Sequence, residues 1–205
     1  RKESPDCVLG MGGFAAGPGG LMALMMSRPL VIHEQNAVAG LTNRLLSKWA
    51  KVVLQAFPNT FEQRLKNQSK IHTVGNPVRP DLLQLAAPAD RQLGVRKPSL
   101  LVLGGSRGAQ ILNEVVPAAL ALIAEPNRPL VVHQAGEGKD QQCGENYQAL
   151  GVAAEVVPFV DDMKSRYQQA DLVICRAGAL TLAELTSVGL GAVLVPYPHA
   201  VDDHQ

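Results

Sequence analysis

The chain has 205 residues, of which 46% are hydrophobic, 4% aromatic and 18% charged, and its formal net charge is +1. That length allows one large domain or two small ones, and that composition excludes a disordered chain. Aromatic side chains are too few for a stacking surface on single-stranded nucleic acid, so no nucleic-acid partner is predicted. The three cysteines form no Cys-x-x-Cys pair, which favours a reducing compartment, and no apolar run approaches the roughly 20 residues of a membrane-spanning helix.

The charge is unevenly distributed along the chain. Residues 1–80 contain ten Lys or Arg and four acids, a net charge of +6, whereas residues 81–205 contain nine and fourteen, a net charge of −5. Halves of opposite charge indicate two surfaces with different partners, and solubility alone is the alternative explanation.

Short apolar segments predict nine strands: residues 7–9, 30–33, 52–56, 71–74, 100–103, 130–133, 154–159, 172–175 and 192–196. Helix-compatible segments separate many of them, which predicts a parallel α/β architecture with ligand sites after the carboxyl ends of the strands. The proline-containing segment 80–98 interrupts this alternation. We therefore expect a first domain at 1–80, a linker at 81–98 and a second domain at 99–205.

Residues 10–20, GMGGFAAGPGG, form a first glycine-rich loop. Gly10, Gly12 and Ala15 satisfy the dinucleotide fingerprint after a strand, and Glu34 follows at about the right distance, so an NAD-dependent dehydrogenase is one alternative. In that fold the helix begins inside the fingerprint. Here we expect residues 17–20 to delay it, with Pro18 at its first position.

Two segments of the first half predict helices whose surroundings are ambiguous. Residues 21–26, LMALMM, are apolar on every side, which favours a buried helix; the alternative is a patch on a bilayer surface beside Arg28. Residues 41–51 predict an amphipathic helix. Its apolar stripe is Leu41, Leu45 and Trp49, and its basic face (Arg44, Lys48, Lys51) is either simply solvated or binds phospholipid headgroups or a pyrophosphate.

Polar residues follow several predicted strands. Residues 33–36, HEQN, offer amide groups suited to sugar hydroxyls or an acetamido group, although an ordinary polar loop explains them equally well. Arg79 follows another strand and could grip a phosphate through two hydrogen bonds. Gly104, Gly105 and Gly108, with Ser106, form a second glycine loop that could cradle a phosphate without a P-loop's Gly-Lys-Ser/Thr.

The remaining motifs concern helix ends. Pro117 is expected to end or kink the helix after the second glycine loop. Asp161 is expected to cap a helix that follows the predicted strand 154–159. In residues 171–191, Thr181 and Glu184 have capping-box spacing, with Leu180 and Leu185 as a hydrophobic staple. Such a helix start also attracts anions, and Glu184 could reach sugar hydroxyls.

His199 and the acids near it could bind a metal, but no second cluster of ligands accompanies them.

Taken together, the motifs resemble those of the MurG family of bacterial N-acetylglucosaminyltransferases. The resemblance rests on the ordered set GMGGFAAGPGG, HEQNAVAGLTN, QAFP, VGNPVRPD, GGSRGA, FVDDM, CRAGALTLAE and PYPHAVDDHQ, which spans residues 10–205. It implies a GT-B fold, in which two Rossmann-like parallel-sheet domains face a cleft and the second domain binds the donor sugar nucleotide.

The resemblance also implies roles for individual residues. Ala179, Leu180, Thr181 and Glu184 would contact UDP, Glu184 through the ribose hydroxyls, and Val160 would contact uracil through its backbone. The second glycine loop, with Ser106 and Arg79, would bind the diphosphate. Asn36 and Gln205 would contact the GlcNAc moiety, and Glu34 with the first glycine loop would belong to the acceptor side.

The implied reaction is inverting transfer of GlcNAc from UDP-GlcNAc to the C4 hydroxyl of MurNAc in lipid I, which gives lipid II and UDP. No obligatory cofactor or metal is expected, since the chain has no Asp-x-Asp. The expected location is peripheral, on the anionic cytoplasmic face of the bacterial inner membrane.

The resemblance leaves the catalytic base unassigned. Family members carry an earlier glycine loop with a histidine that could be the base, and by the resemblance this loop is expected before Arg1. Family members also carry further helices after the last motif, so the chain resembles an internal fragment with two incomplete domains. Neither His33 nor His199 is assigned as a substitute base.

Beside this reaction and the dehydrogenase considered above, two alternatives remain. The chain could belong to another GT-B enzyme that uses a UDP-sugar, such as a glycolipid synthase or a UDP-GlcNAc epimerase. It could also be a non-catalytic module that binds a nucleotide sugar.

Overall fold

The computed structural model describes residues 4–86, 90, 96–105 and 108–197. The described residues divide into two compact units, and the division falls between Pro77 and Val78. The short 3₁₀ turn Leu82–Gln84 belongs to the second unit, because Leu82 is buried in its core. The domain limits at 80, 81–98 and 99 stay a prediction, although the described start of segment 81–98 packs on the second unit.

The first unit is built on a four-stranded parallel sheet in the order β1-β2-β3-β4. These strands are Val8–Gly10, Leu30–Glu34, Val52–Gln55 and Ile71–Thr73, and the helices are α1 (Gly13–Met25) and α2 (Leu41–Leu46). Apolar residues from the strands and α2 form its core with two residues after β3, Phe61 and Leu65.

The second unit is built on a five-stranded parallel sheet in the order β7-β6-β5-β8-β9. Its strands are β5 (Ser99–Leu103), β6 (Leu130–Gln134), β7 (Glu155–Val157), β8 (Leu172–Arg176) and β9 (Ala192–Val195). Its helices are α3 (Gln110–Ala121), α4 (Asp140–Ala149), α5 (Met163–Gln169) and α6 (Ala179–Val188). Strand β5 is buried on both faces: Leu100 and Val102 pack in one core cluster, and Leu101 and Leu103 in the other. That burial explains its continuous apolar sequence.

All nine predicted strands are confirmed, with ends that differ by at most two residues. The predicted parallel α/β class is confirmed as well, because every strand pair in both sheets is parallel. The prediction that two such domains face a cleft stays a prediction.

The start of α1 differs from its prediction. The helix begins at Gly13, inside the first glycine loop, and continues through Pro18, so the predicted delay is wrong. Helix α1 packs closely against α2 at this point: a Cβ added to Gly20 would lie 2.6 Å from a methyl carbon of Leu46, so the Leu46 side chain would have to shift. Tertiary packing therefore overrides the low helix propensity of glycine and proline.

The apolar surfaces of α1 and α2 also differ from their predictions. Leu21, Met22, Met25 and Met26 are each at least half exposed, so the favoured interpretation of LMALMM as a buried helix is wrong. The stripe Leu41, Leu45, Trp49 is exposed too. The buried residues of this segment are instead Asn43 and Leu46 of α2 and, after the helix ends, Ser47 and Ala50. In the described part of the chain, no helix combines the length and apolarity needed to cross a membrane.

Two helix ends in the second unit need smaller corrections. Helix α3 continues four residues past Pro117, which is itself buried, so the helix does not end there, and the alternative that Pro117 kinks it stays a prediction. The cap of α5 is Asp162 rather than Asp161, and its carboxylate accepts hydrogen bonds from the Ser165 backbone N–H at 3.0 Å and hydroxyl at 2.6 Å.

Candidate functional site

The second sheet has a topological switch point between β5 and β8. From β5 the chain builds outward through β6 and β7, and then returns to place β8 on the other side of β5. Ligands of open α/β sheets bind beyond the carboxyl ends of the strands at such a point. Leu103 pairs with Cys175 across these strands. The loops that follow them therefore start on neighbouring strands, about 4.8 Å apart.

The loop after β5 is the second glycine loop, and it lies close against the end of β6. A Cβ on Gly108 would lie 2.0 Å from the carbonyl oxygen of Ala135, and one on Gly104 would lie 2.9 Å from that of Gln134. Gly108 also has a φ of +68°, which favours glycine. A Cβ added to Gly105 would have no described atom within 4 Å, apart from those of Gly105 itself and its chain neighbours. One side of this loop is thus packed against β6. Ser106 lies outside the described residues, and its diphosphate role stays a prediction, as do those of the three glycines.

A buried hydrogen-bond chain holds the end of β6 in place. Asn113 of α3 donates to the Ala135 carbonyl at 3.1 Å, and its own oxygen lies 3.1 Å from His133 Nε2. The other ring nitrogen of His133 lies 2.9 Å from the Tyr147 hydroxyl. Burial lowers the pKa of His133 to about 4, so the ring is neutral near pH 7. Nε2 then donates to Asn113, while Nδ1 accepts from Tyr147, and the network is satisfied.

The loop after β8 leads directly into α6. The helix begins at Ala179 after Gly178, which has no side chain to cap it, so the predicted capping box at Thr181 and Glu184 is wrong. The predicted staple is wrong too, since Leu180 is 49% exposed while Leu185 is buried. The earlier start puts Thr181 at the third helical position. The first turn, which holds Ala179, Leu180 and Thr181, comes directly after β8, one of the two strands of the switch point. The backbone N–H groups of a first turn have no partner within the helix.

Glu184, one turn further into α6, makes two contacts inside the second unit. Its Oε2 accepts a hydrogen bond from the Tyr167 hydroxyl at 3.0 Å, and its Oε1 lies 3.6 Å from Arg79 Nε. The Glu184 side chain is 22% exposed and that of Arg79 is 47% exposed. The structure thus brings together Arg79 and Glu184, two predicted site residues that are far apart in sequence.

Val160, the predicted uracil contact, follows β7 and is 6% exposed. Its buried side chain leaves only the backbone for a ligand, which is the form of contact that was predicted. The contact itself stays a prediction.

The first unit places Glu34 and Asn36 beside a cavity of about 350 Å³, which Gly12, Gly13 and Asn43 also line. Glu34 is 3% exposed. Its carboxylate accepts from the Asn36 backbone N–H at 3.1 Å and side-chain amide at 3.2 Å, from Gly40 N–H at 3.0 Å and from the Asn43 amide at 2.9 Å. Glu34 therefore anchors the loop between β2 and α2. Its acceptor-side role and the contact of Asn36 with GlcNAc stay predictions.

His33 and the two ends of the chain are considered last. His33 is buried, and its Nε2 lies 2.9 Å from the Gly75 carbonyl oxygen. The loop with the base is expected before Arg1, which itself lies outside the described residues. The prediction of that loop therefore stays untested. No described residue is assigned as the base. His199 and Gln205 also lie outside the described residues. Within the described ranges, no three His, Cys, Asp or Glu side chains are grouped closely enough to hold a metal ion.

Sequence reasoning missed Tyr167 and the network of Asn113, His133 and Tyr147. The sequence did not show that Tyr167 is buried, and only that burial implies a hydrogen-bond partner for its hydroxyl. The identity of that partner was not readable, since Glu184 lies 17 residues away on another helix.

The chain is similar to known glycosyltransferases. Residues 99–205 match the glycosyltransferase family 28 C-terminal domain, and residues 1–55 match the glycosyltransferase family 28 N-terminal domain. A Hahella chejuensis protein named UDP-N-acetylglucosamine--N-acetylmuramyl-(pentapeptide) pyrophosphoryl-undecaprenol N-acetylglucosamine transferase is 64% identical over the whole chain, and one of the same name from Neisseria meningitidis is 57% identical. The chain spans 56% of the length of each.

Solved structures agree with these sequence matches. Acinetobacter baumannii MurG has a TM-score of 0.75 at 41% identity, with 98% of this chain and 55% of that chain covered. A putative UDP-N-acetylglucosamine 2-epimerase from Listeria monocytogenes has a TM-score of 0.66 at 14% identity, over 93% of this chain and 57% of that one, which shows the fold alone. Since the two matched domains cover residues 1–55 and 99–205, the chain belongs to glycosyltransferase family 28.

Proposed function

We propose that this chain is part of an enzyme that transfers GlcNAc from UDP-GlcNAc to the C4 hydroxyl of MurNAc in lipid I, giving lipid II and UDP. The proposal is supported by the name that the 64% and 57% identical relatives carry. The observation that carries it is the pairing of Arg79 with Glu184 at the switch point of the second sheet. In a nucleoside diphosphate, the cation is suited to the diphosphate and the neighbouring carboxylate to the ribose hydroxyls.

UDP-GlcNAc would lie across the carboxyl ends of β5 and β8. Its diphosphate would occupy the second glycine loop with Ser106 and Arg79, and its ribose would contact Glu184. The first turn of α6 would supply N–H groups and the positive end of the helix dipole. Val160 would hold uracil, while Asn36 and Gln205 would contact the GlcNAc moiety.

The reaction forms a bond between the acceptor O4 and the anomeric carbon, and breaks the bond from that carbon to the diphosphate oxygen. The proton of the acceptor hydroxyl passes to a base that we leave unassigned. Negative charge develops on the departing UDP, and Arg79, the loop N–H groups and the helix dipoles would stabilise it. We propose that no metal is obligatory, so that chelation with EDTA leaves turnover unchanged.

A radiolabelled transfer assay on the full-length protein tests this assignment. Arg79→Gln should lower kcat/KM by about tenfold or more, because a charge-assisted hydrogen bond contributes roughly 1.5–3 kcal/mol. Lys97→Gln is the matched control, since exposed Lys97 lies just before β5 at the opposite end of the same sheet. Equal losses in both variants would contradict the proposed diphosphate site. Conversion of UDP-GlcNAc to an epimerised product in a mixture without lipid would instead identify an epimerase.

We further propose that the first unit rests on an anionic membrane surface through α1 and α2. Phe14 is 94% exposed, Met25 72% and Trp49 63%. The turn that follows α2 also exposes Lys48 and Lys51. Exposed apolar side chains beside basic ones match the composition of interfacial helices. This location would bring the first unit to a lipid-linked acceptor.

Cosedimentation with phosphatidylglycerol vesicles at low salt tests membrane binding. The double variant Met25→Ser/Trp49→Ser should reduce the bound fraction several-fold. Leu122→Ser is the control, because Leu122 is 89% exposed in the second unit. Binding that is equal on phosphatidylcholine vesicles, or that is lost equally in the control, would contradict the proposal.

A further inference from the structure

The hydroxyl of Tyr167 is a buried polar group that the proposed chemistry does not use. Its ring is 0% exposed and packs in the core between α5, α6 and the sheet. Its hydroxyl nevertheless reaches Glu184 Oε2 at 3.0 Å. Burial and the neighbouring Glu184 raise the pKa of Tyr167, so the phenol stays protonated and donates this hydrogen bond at any physiological pH.

We propose that Tyr167 is a positioning residue that fixes the orientation of the Glu184 carboxylate for recognition of a ribose diol. The inference rests on the proposed nucleotide site, and deepens it by assigning selectivity for ribonucleotides to a residue that does not touch the ligand.

The geometry leaves the carboxylate able to bind a diol. A carboxylate has about four lone-pair positions on its two oxygens. Tyr167 occupies one position on Oε2, while Arg79 lies against Oε1 at 3.6 Å. With the contacts of the described residues counted, two positions remain, one on each oxygen, and two hydroxyl donors are what a ribose 2′,3′-diol offers.

The burial of Tyr167 is what makes this arrangement rigid. A glutamate side chain that is partly exposed, as Glu184 is, loses rotamer freedom when it binds a ligand. Because the phenol is locked in the core, its hydrogen bond limits that freedom before the ligand arrives, and preorganisation of this kind increases affinity. The gain applies only to ligands that hydrogen-bond to the carboxylate.

Calorimetric binding of UDP and 2′-deoxy-UDP to the full-length protein tests the inference. The measured quantity is the ratio of the two affinities, which is independent of the folded fraction because both nucleotides are titrated into the same preparation. Tyr167→Phe keeps the ring and removes the hydroxyl, and should reduce the preference for UDP at least threefold. Glu184→Gln should reduce it further. In the Glu184→Gln background, Tyr167→Phe should have no additional effect on the ratio.

Tyr147→Phe is the matched control, since it also removes a buried hydroxyl from the second unit. Its effect should be equal for both nucleotides. In the full-length enzyme, Tyr167→Phe should raise KM for UDP-GlcNAc several-fold and leave kcat within about twofold, because the contact is to the ribose rather than to the reacting atoms.

The outcomes separate the inference from the proposed function. If Glu184→Gln changes the ratio and Tyr167→Phe does not, the positioning role is overturned and the ribose contact stands. An equal loss for both nucleotides in Tyr167→Phe has the same meaning, because it reports only packing. If Glu184→Gln leaves the ratio unchanged, the proposed ribose contact itself fails, and the inference fails with it.

Discussion

The close packing of the second glycine loop against β6 makes Gly108→Ala a sharp test of the site's construction. The added Cβ would lie 2.0 Å from the Ala135 carbonyl oxygen and 3.0 Å from its carbonyl carbon. Both are backbone atoms at the end of β6, and the Asn113 amide holds that same oxygen at 3.1 Å. No side-chain rotation can therefore relieve the overlap, and either the loop or the strand end has to move.

Two costs add in this variant. An L-residue at the φ of +68° found for Gly108 costs about 1–2 kcal/mol relative to glycine. The steric overlap adds about 1–3 kcal/mol, the usual range for overpacking in a rigid environment. We expect Gly108→Ala to lower the free energy of unfolding by about 3 kcal/mol.

Gly138→Ala separates these two costs. Gly138 has nearly the same φ, +71°, and no described atom lies within 4 Å of its added Cβ. We expect it to lose only the conformational cost of about 1–2 kcal/mol. Urea denaturation followed by circular dichroism measures both free energies. UDP calorimetry on the same variants should show weakened binding for Gly108→Ala alone, because only that substitution displaces the proposed diphosphate loop.

Equal unfolding free energies for the two variants would refute the argument from close packing. Unchanged UDP affinity in a destabilised Gly108→Ala would separate the loop's packing from ligand binding, and the proposed diphosphate contact would then lose its support.

Three further predictions concern the scaffold. Lys70 donates to the carbonyls of Ser47, Lys48 and Ala50 at 2.8, 3.1 and 3.2 Å, so Lys70→Met should lower the first unit's free energy of unfolding by about 2 kcal/mol in urea titration; retention of full stability would contradict this. Burial lowers the pKa of His133 to about 4, so below pH 6.5 the unfolded chain binds a proton that the folded one does not. The contribution of His133 to the free energy of unfolding should therefore be fully present above pH 6.5 and fall by about 3 kcal/mol as the pH drops to 4. In urea denaturation across this range, the free energy of unfolding of His133→Gln should depend less steeply on pH. Asp162→Ala should lower the thermal midpoint and Asp161→Ala should not, because Asp162 caps α5; the reverse order would contradict the cap.

Much of the fold was readable from the sequence. Short apolar, β-branched segments carry the signal for buried parallel strands, and each of the nine was found within two residues of its predicted limits. For a central strand such as β5 the signal is local, because a strand buried on both faces needs apolar side chains at every position. The second glycine loop was readable as well, because glycine is needed where an added Cβ would overlap backbone atoms.

The exposed helix surfaces were not readable. LMALMM has the composition of a core helix, yet Met25 is 72% exposed. Likewise, the four-residue repeat of Leu41, Leu45 and Trp49 resembles a core-facing stripe and lies outside. A sequence pattern shows that one face of a helix is apolar but not what covers it. The pattern was interpreted on the assumption that an apolar face packs against the core, and the exposed surfaces of α1 and α2 do not meet that assumption.

For the candidate site too, some features were determined by the sequence and others only by the tertiary structure. The sequence by itself determined the strands, the glycine loop and the candidacy of Arg79 and Glu184, because each is encoded in a contiguous motif. Only the tertiary structure decided that Arg79 lies 3.6 Å from Glu184, that Tyr167 donates to the same carboxylate, and that Glu34 is held by backbone and amide donors. These contacts join residues on different strands, helices and loops. Their partners are selected by the order of strands in a sheet and the packing of helices on it, and those are properties of the whole folded unit.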